Sequence, residues 1–291
     1  MLAIAAIMMY GSSQAMQKVS LYGMSVPSMI LFSLLIALPM FGVALAYIIW
    51  TGDIWNIAPD RLLFGILGTT FGQIGYYAYV EAVKRGPISI VSSLTATYPV
   101  LIAIVAVVFL NEVPTLLQGV GVIAVTSSII ALSYLHGKSE DANARTSGKY
   151  YAISVLAMLM WTLWALFAKF ALEEGEGEMT NFDFLAMYTF VIPPITFAYY
   201  RLSHVTMRSA WPKWGMAVKL AIISSFIGNL AYFFEITAVD NGPASIVFPL
   251  IASSPVVVIL LAYAFLKERL TKKEWTLVAC VVIGIILVST V

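Results

Sequence analysis

The sequence predicts an all-α integral membrane protein of ten transmembrane helices, arranged as two inverted five-helix repeats. Three observations predict it: an apolar composition, a gap-free internal match, and opposite charge in the matched loops. Of the 291 residues, 61% are hydrophobic and 11% are charged, and the mean hydropathy is +0.92. Soluble chains carry roughly 25% charged residues, so too few charges are present to coat a water-facing surface. The apolar residues come in runs of about 20, the length that spans a hydrocarbon core of roughly 30 Å. Barrel strands would instead alternate apolar and polar over about ten residues, and no segment does. A helical bundle is the class that satisfies its backbone groups inside lipid. The net charge of +1 argues against a nucleic-acid partner. The single cysteine, Cys280, lies in an apolar run and reads as a small buried hydrophobe.

Ten spans follow from the apolar runs: about 1–18, 27–50, 61–83, 87–110 and 114–135, then 150–172, 181–201, 213–239, 243–266 and 273–291. The first lacks the basic flank of a signal peptide and reads as a true span. The polar stretch 136–149 is the natural linker between a first repeat, 1–135, and a second, 150–291. An offset of about 156 positions aligns the halves. Gly86 and Pro87 fall on Gly242 and Pro243, Ser89 to Val91 on Ser245 to Val247, Pro99 on Pro255, and Glu112 on Glu268. An offset of about 151 places Tyr10 on Trp161 and Lys18 on Lys169. Paired Gly-Pro, Pro and Glu in one register mark a repeat.

Charge then predicts how the copies sit. Lys84 and Arg85 precede Gly86, whereas Asp240 and Asn241 precede Gly242. The turn holding Glu112 has a copy holding Lys267, Arg269, Lys272 and Lys273. Cytoplasmic loops retain Lys and Arg, so equivalent turns face opposite sides. The loops after odd-numbered spans hold about 14 of the 16 Lys and Arg residues, counting Lys219 just inside the eighth span; Arg61 and Lys169 go with even-numbered spans. The odd loops are therefore expected in the cytoplasm and both termini outside. The expected location is the cytoplasmic (inner) membrane of a prokaryote.

The blocks "GPISIVSSLTATYP" with "FLNE" and "GPASIVFPLIASSP" with "FLKERLT", and the opening "IMMYGSSQAMQK", resemble the drug/metabolite transporter superfamily, specifically its EamA-type members. The likeness covers essentially the whole chain. It implies a fold of two five-helix repeats and a carrier of small molecules; relatives include amino-acid exporters, nucleotide-sugar carriers and sugar-phosphate exchangers. Many members are described with both termini cytoplasmic, whereas the charge count here places them outside.

Polar side chains inside a bilayer are costly and face a cavity or a partner helix, and carrier sites lie near midplane between repeats. Gln73 and Tyr76 share a helix face, and Asn229 and Tyr232 match them one repeat later. An amide and a phenol on each side would bind a polar solute; helix–helix hydrogen bonding is the other reading. Tyr10 and Gln14, with Lys18, are mirrored by Trp161, Ala165 and Lys169. The aromatics and the amide are expected in the cavity, and the lysines are expected to snorkel. Glu235 sits inside the eighth span and is the candidate for binding a coupling proton or cation; pairing with a base is the alternative. Tyr98 with Pro99, and Ser254 with Pro255, fall at matched points where proline frees a carbonyl and allows a kink. Pro87 and Pro243 suit first helical turns, and Glu112 and Glu268 suit helix N-termini.

Histidines 136 and 204 both lie in loops, and no HExxH, GxSxG, Walker or Cys/His motif occurs, so neither an enzyme nor a resident metal or cofactor is expected. The expected function is secondary transport of a small polar, amino-acid-like metabolite by alternating access. A divalent-cation pathway or a non-transporting scaffold is the alternative. The partners expected are a small-molecule substrate and the lipid bilayer. The sequence assigns no oligomeric state.

Overall fold

The computed structural model describes residues 2–52, 57–86, 88–95, 97–98, 101–102, 105, 115–140, 149–266 and 271–288. Pro87, Pro99, Glu112, Glu268 and linker residues 141–148 lie outside them. The described residues form helices α1 (Leu2–Gly23), α2 (Val26–Thr51), α3 (Pro59–Arg85), α4 (Ile88–Thr95), α5 (Leu116–Glu140), α6 (Lys149–Ala171), α7 (Asn181–Leu202), α8 (Met216–Asp240), α9 (Ala244–Ile251), α10 (Ser254–Leu266) and α11 (Lys272–Val288). No strand occurs among them.

Local chemistry sets several helix ends. Ser25 caps α2 by accepting from the Ser28 N–H at 3.2 Å, and Gly52 closes it in the left-handed region at φ 82°. Thr180 and Asp183 form a reciprocal capping box at the start of α7. Among the described residues, α2, α6, α7 and α8 are long and apolar enough to cross a bilayer. Large apolar side chains such as Val43, Trp50, Ile123 and Phe197 are exposed on the outside, where lipid is the matching solvent.

Two expectations need adjusting. Helix α5 continues to Glu140, so residues 136–140 of the expected linker are helical. The ninth span, expected as one helix over 243–266, is two helices broken at Ala252 and Ser253. The Ser253 N–H donates to the Leu250 carbonyl at 3.0 Å, a tighter turn than an α-helix makes. Pro255 has no N–H to reach back across the break, and its fixed φ suits the first turn of α10.

The main helix pairs join one half of the chain to the other: α1 lies along α8, α3 along α6, α2 along α7, and α5 along α11. Lipid provides no hydrophobic force between helices, so close packing must hold them. Helix α3 achieves it with Gly65, Gly68, Gly72 and Gly75 facing α6 and its neighbours. A Cβ at Gly72 would lie 2.7 Å from Trp164 Cδ1, and one at Gly75 would lie 2.6 Å from Trp161 Cδ1.

The two ends of the bundle differ in charge. At one end Lys84 donates to the carbonyls of Leu21 and Met24, close to Arg85, while Ser20 donates to the Ala217 carbonyl at 2.8 Å. At the other end Arg61 donates to the Phe170 carbonyl and pairs with Glu173 at 3.3 Å, beside Glu174, Glu176 and Glu178.

Both snorkelling candidates have protein partners. Lys18 Nζ donates to the carbonyls of Val83 and Gly86, at 3.0 and 3.3 Å. Lys169 Nζ donates to those of Val239 and Gly242, at 3.4 and 3.2 Å. Each lysine thus serves the carbonyls left over at a helix C-terminus, where positive charge also complements the dipole. Lys169→Met should cost about 1 kcal/mol by this route and lower the thermal midpoint of the solubilised protein by a few degrees. Lys169→Arg should retain most of it. A methionine variant that melts with the wild type would show that the cap contributes nothing.

Candidate functional site

Helices α1, α3, α6 and α8 surround a cavity of about 200 Å³, lined also by side chains of α2 and α7 and by the break between α9 and α10. Polar residues at helical spacing on α1 and α8 give one wall: Tyr10, Ser13, Gln14, Gln17, Ser224, Ser225, Asn229 and Glu235. Aromatics on α3 and α6 give the facing wall: Tyr76, Tyr79, Trp161 and Trp164, with the Gln73 amide among them. The glycines of α3 leave room for the indoles. Gly72 and Gly75 sit under Trp164 and Trp161, so the ladder that packs the pair also seats its two largest rings.

All nine side chains singled out from the sequence line this one cavity: Tyr10, Gln14, Gln73, Tyr76, Tyr98, Trp161, Asn229, Tyr232 and Glu235. Tyr10 OH donates to Glu235 Oε2 at 2.5 Å. Gln17 Nε2 donates to Tyr76 OH at 2.9 Å, and Trp164 Nε1 donates to Tyr232 OH at 3.0 Å. Tyr188 packs edge-on to Tyr232 with ring centres 4.9 Å apart. Trp161 meets Tyr79 at 5.3 Å and Tyr98 at 6.1 Å.

Glu235 is 3% exposed. Among the described residues its carboxylate accepts from Tyr10 and forms no ion pair, so the base expected as one alternative partner is not seen there. No Lys, Arg or His lines the cavity among these residues. Four cavity atoms, Gln14 Oε1, Tyr79 OH, Ser225 Oγ and Asn229 Nδ2, are buried without a hydrogen-bond partner among them. Buried polar atoms in native proteins nearly always find partners, so four such atoms on residues around one cavity are unusual.

Sequence reasoning omitted Tyr79, Trp164 and Tyr188, and with them Ser13, Gln17, Ser224 and Ser225. A signal existed for the first: the 156-residue offset places Tyr79 on Glu235. Trp164 lies one turn beyond Trp161. Tyr188 had no symmetric polar mate to mark it.

Residues 1–134 and 148–290 each match the family model described as the EamA-like transporter family. A solved structure described as "Crystal structure of protein" shares the fold, with a TM-score of 0.75 at 15% identity over 99% of this chain and 95% of that one. No curated protein matches the chain. The two matched segments cover nearly the whole length, and the chain belongs to the EamA-like transporter family, integral membrane carriers of small molecules rather than enzymes.

Proposed function

We propose that this carrier moves a small polar organic solute, amino-acid-like or related, by alternating access about the central cavity. The carrying observation is the convergence there of amides, hydroxyls and Glu235 from both halves of the chain, several with unpartnered atoms. We read residues 1–135 and 150–291 as inverted five-helix repeats making ten spans. Exchange of the halves turns the α1–α8 pair into the α6–α3 pair and returns α2–α7 to itself, as a two-fold relation requires. The lysine caps obey the same exchange. Glu235 is the candidate for a coupling proton or cation. The reading places the chain in a prokaryotic cytoplasmic membrane.

A divalent-cation pathway has less support. It needs converging carboxylates, and among the described residues no three His, Cys, Asp or Glu side chains gather in metal-binding range.

Counterflow in proteoliposomes, preloaded in turn with members of a metabolite panel, tests the reading. At least one organic solute should exchange. Asn229→Ala and Gln73→Ala should each slow that exchange about tenfold, the size of one hydrogen bond to a polar group out of water, without altering the melting profile. A panel that fails to exchange, or alanine variants that transport normally, would refute it.

A further inference from the structure

The cavity's charge and its division into two walls narrow the solute class. We infer that it selects a monovalent organic cation with a flat apolar body, its ammonium head at Glu235 and its body against the aromatic wall of α3 and α6. This rests on the carrier reading and narrows its solute from amino-acid-like molecules to related amines that carry no carboxylate.

The first observation is charge balance. Glu235 is almost fully buried, and no Lys, Arg or His lines the space around it among the described residues. A carboxylate away from water is costly unless paired. The protein supplies Tyr10 as a hydrogen-bond donor and, among the described residues, no counter-charge; a cationic guest would supply one.

The second is asymmetry. The repeat offset puts the neutral Tyr79 where the second half carries Glu235, and both line the cavity. A two-fold site would otherwise hold two carboxylates. One charged position gives one place for one positive head, at the α8 side, and so one orientation for the guest.

The third is the facing wall. Tyr76 and Tyr79 of α3 and Trp161 and Trp164 of α6 line the cavity. Such faces bind flat apolar groups, and they attract a nearby cation through the ring quadrupole. An anionic solute would meet Glu235 in a low-dielectric space with no basic side chain to hold it. A zwitterion would bring a second charge for which the described lining offers only hydroxyl and amide groups.

The test is isothermal titration calorimetry of the solubilised full chain at neutral pH with four solutes built on one body: phenethylamine, 2-phenylethanol, phenylalanine and 3-phenylpropionate. Phenethylamine should bind at least tenfold more tightly than the other three. Glu235→Gln should lose at least tenfold of the amine's affinity while leaving 2-phenylethanol unchanged, and Glu235→Asp should recover part of the difference. Equal or tighter binding of phenylalanine or the alcohol would overturn the inference, as would a glutamine variant that binds the amine normally. If that variant does not fold, the four-solute series on the wild type decides alone. The two readings can fail separately. Exchange of another solute in counterflow, with no phenethylamine binding, removes this inference and keeps the carrier. Phenethylamine binding without exchange of any solute removes the carrier and keeps the head-group assignment.

Discussion

Leucine in place of Gly72 should abolish solute exchange, to below about one hundredth of wild type, and should destabilise the fold by about 1–3 kcal/mol through overpacking. The Cβ alone would lie 2.7 Å from Trp164 Cδ1 and 3.0 Å from Tyr188 OH. Neither group has an easy retreat. Trp164 is fixed by its donation to Tyr232 OH at 3.0 Å, and Tyr188 packs on Phe41 and Tyr232. Displacing them therefore moves a wall of the cavity as well as separating α3 from α6. Gly42 on α2 is the control, since a Cβ there would meet nothing within 4 Å, and Gly42→Leu should transport and melt like wild type. Counterflow and thermal unfolding read both effects. A Gly72→Leu protein that transports normally would mean that the α3–α6 approach is looser than these distances allow.

Cysteine labelling should give a nearly all-or-none answer on orientation. The end of the bundle bearing Lys84, Arg85, Arg201 and Arg208 should face the cytoplasm, with Met1 and Val291 outside. Lys and Arg in short loops resist translocation, while Asp and Glu weigh little, and about 14 of the 16 basic residues lie in or beside the loops after odd-numbered spans. The bias is spread over five loops, so an error in one span does not produce it. Ser209 and Glu176 are exposed at opposite ends. In a Cys280→Ala background, Ser209→Cys should be protected from an impermeant thiol reagent in intact cells, and Glu176→Cys should be labelled. The reverse pattern would place both termini in the cytoplasm.

Nine of the cavity's lining residues could be found in the sequence, for a reason specific to lipid. A Gln, Asn or Glu inside an apolar span needs a partner or a cavity, and the repeat offset shows which positions matter in both halves. Gln73 with Asn229, and Tyr76 with Tyr232, stand out on both counts. Trp164 and Tyr188 stand out on neither, because aromatic rings suit lipid, core and cavity alike. The glycines of α3 are visible at spacings of three and four, but only the position of α6 shows which rings they admit. Pro255 marks a weak point in the ninth span; whether the helix bends or breaks there depends on what packs around it. The lysine caps escaped notice because snorkelling and capping both call for a long basic side chain near a helix end, and only the neighbouring carbonyls distinguish them.

The pairing of α1 with α8 and of α3 with α6 bears on how the protein is made. A ribosome delivers the chain in order, so α1 and α3 enter the membrane before either partner has been synthesised. During that interval Gln14, Gln17 and Gln73 have no cavity to face, and the glycine ladder has no indoles to receive. Neither α1 nor α3 ranks among the helices apolar enough to cross a bilayer unaided. These two pairs can therefore form only after α6 and α8 have been made. A defect in the second half would leave the polar faces of the first exposed to lipid, where membrane quality control can recognise them.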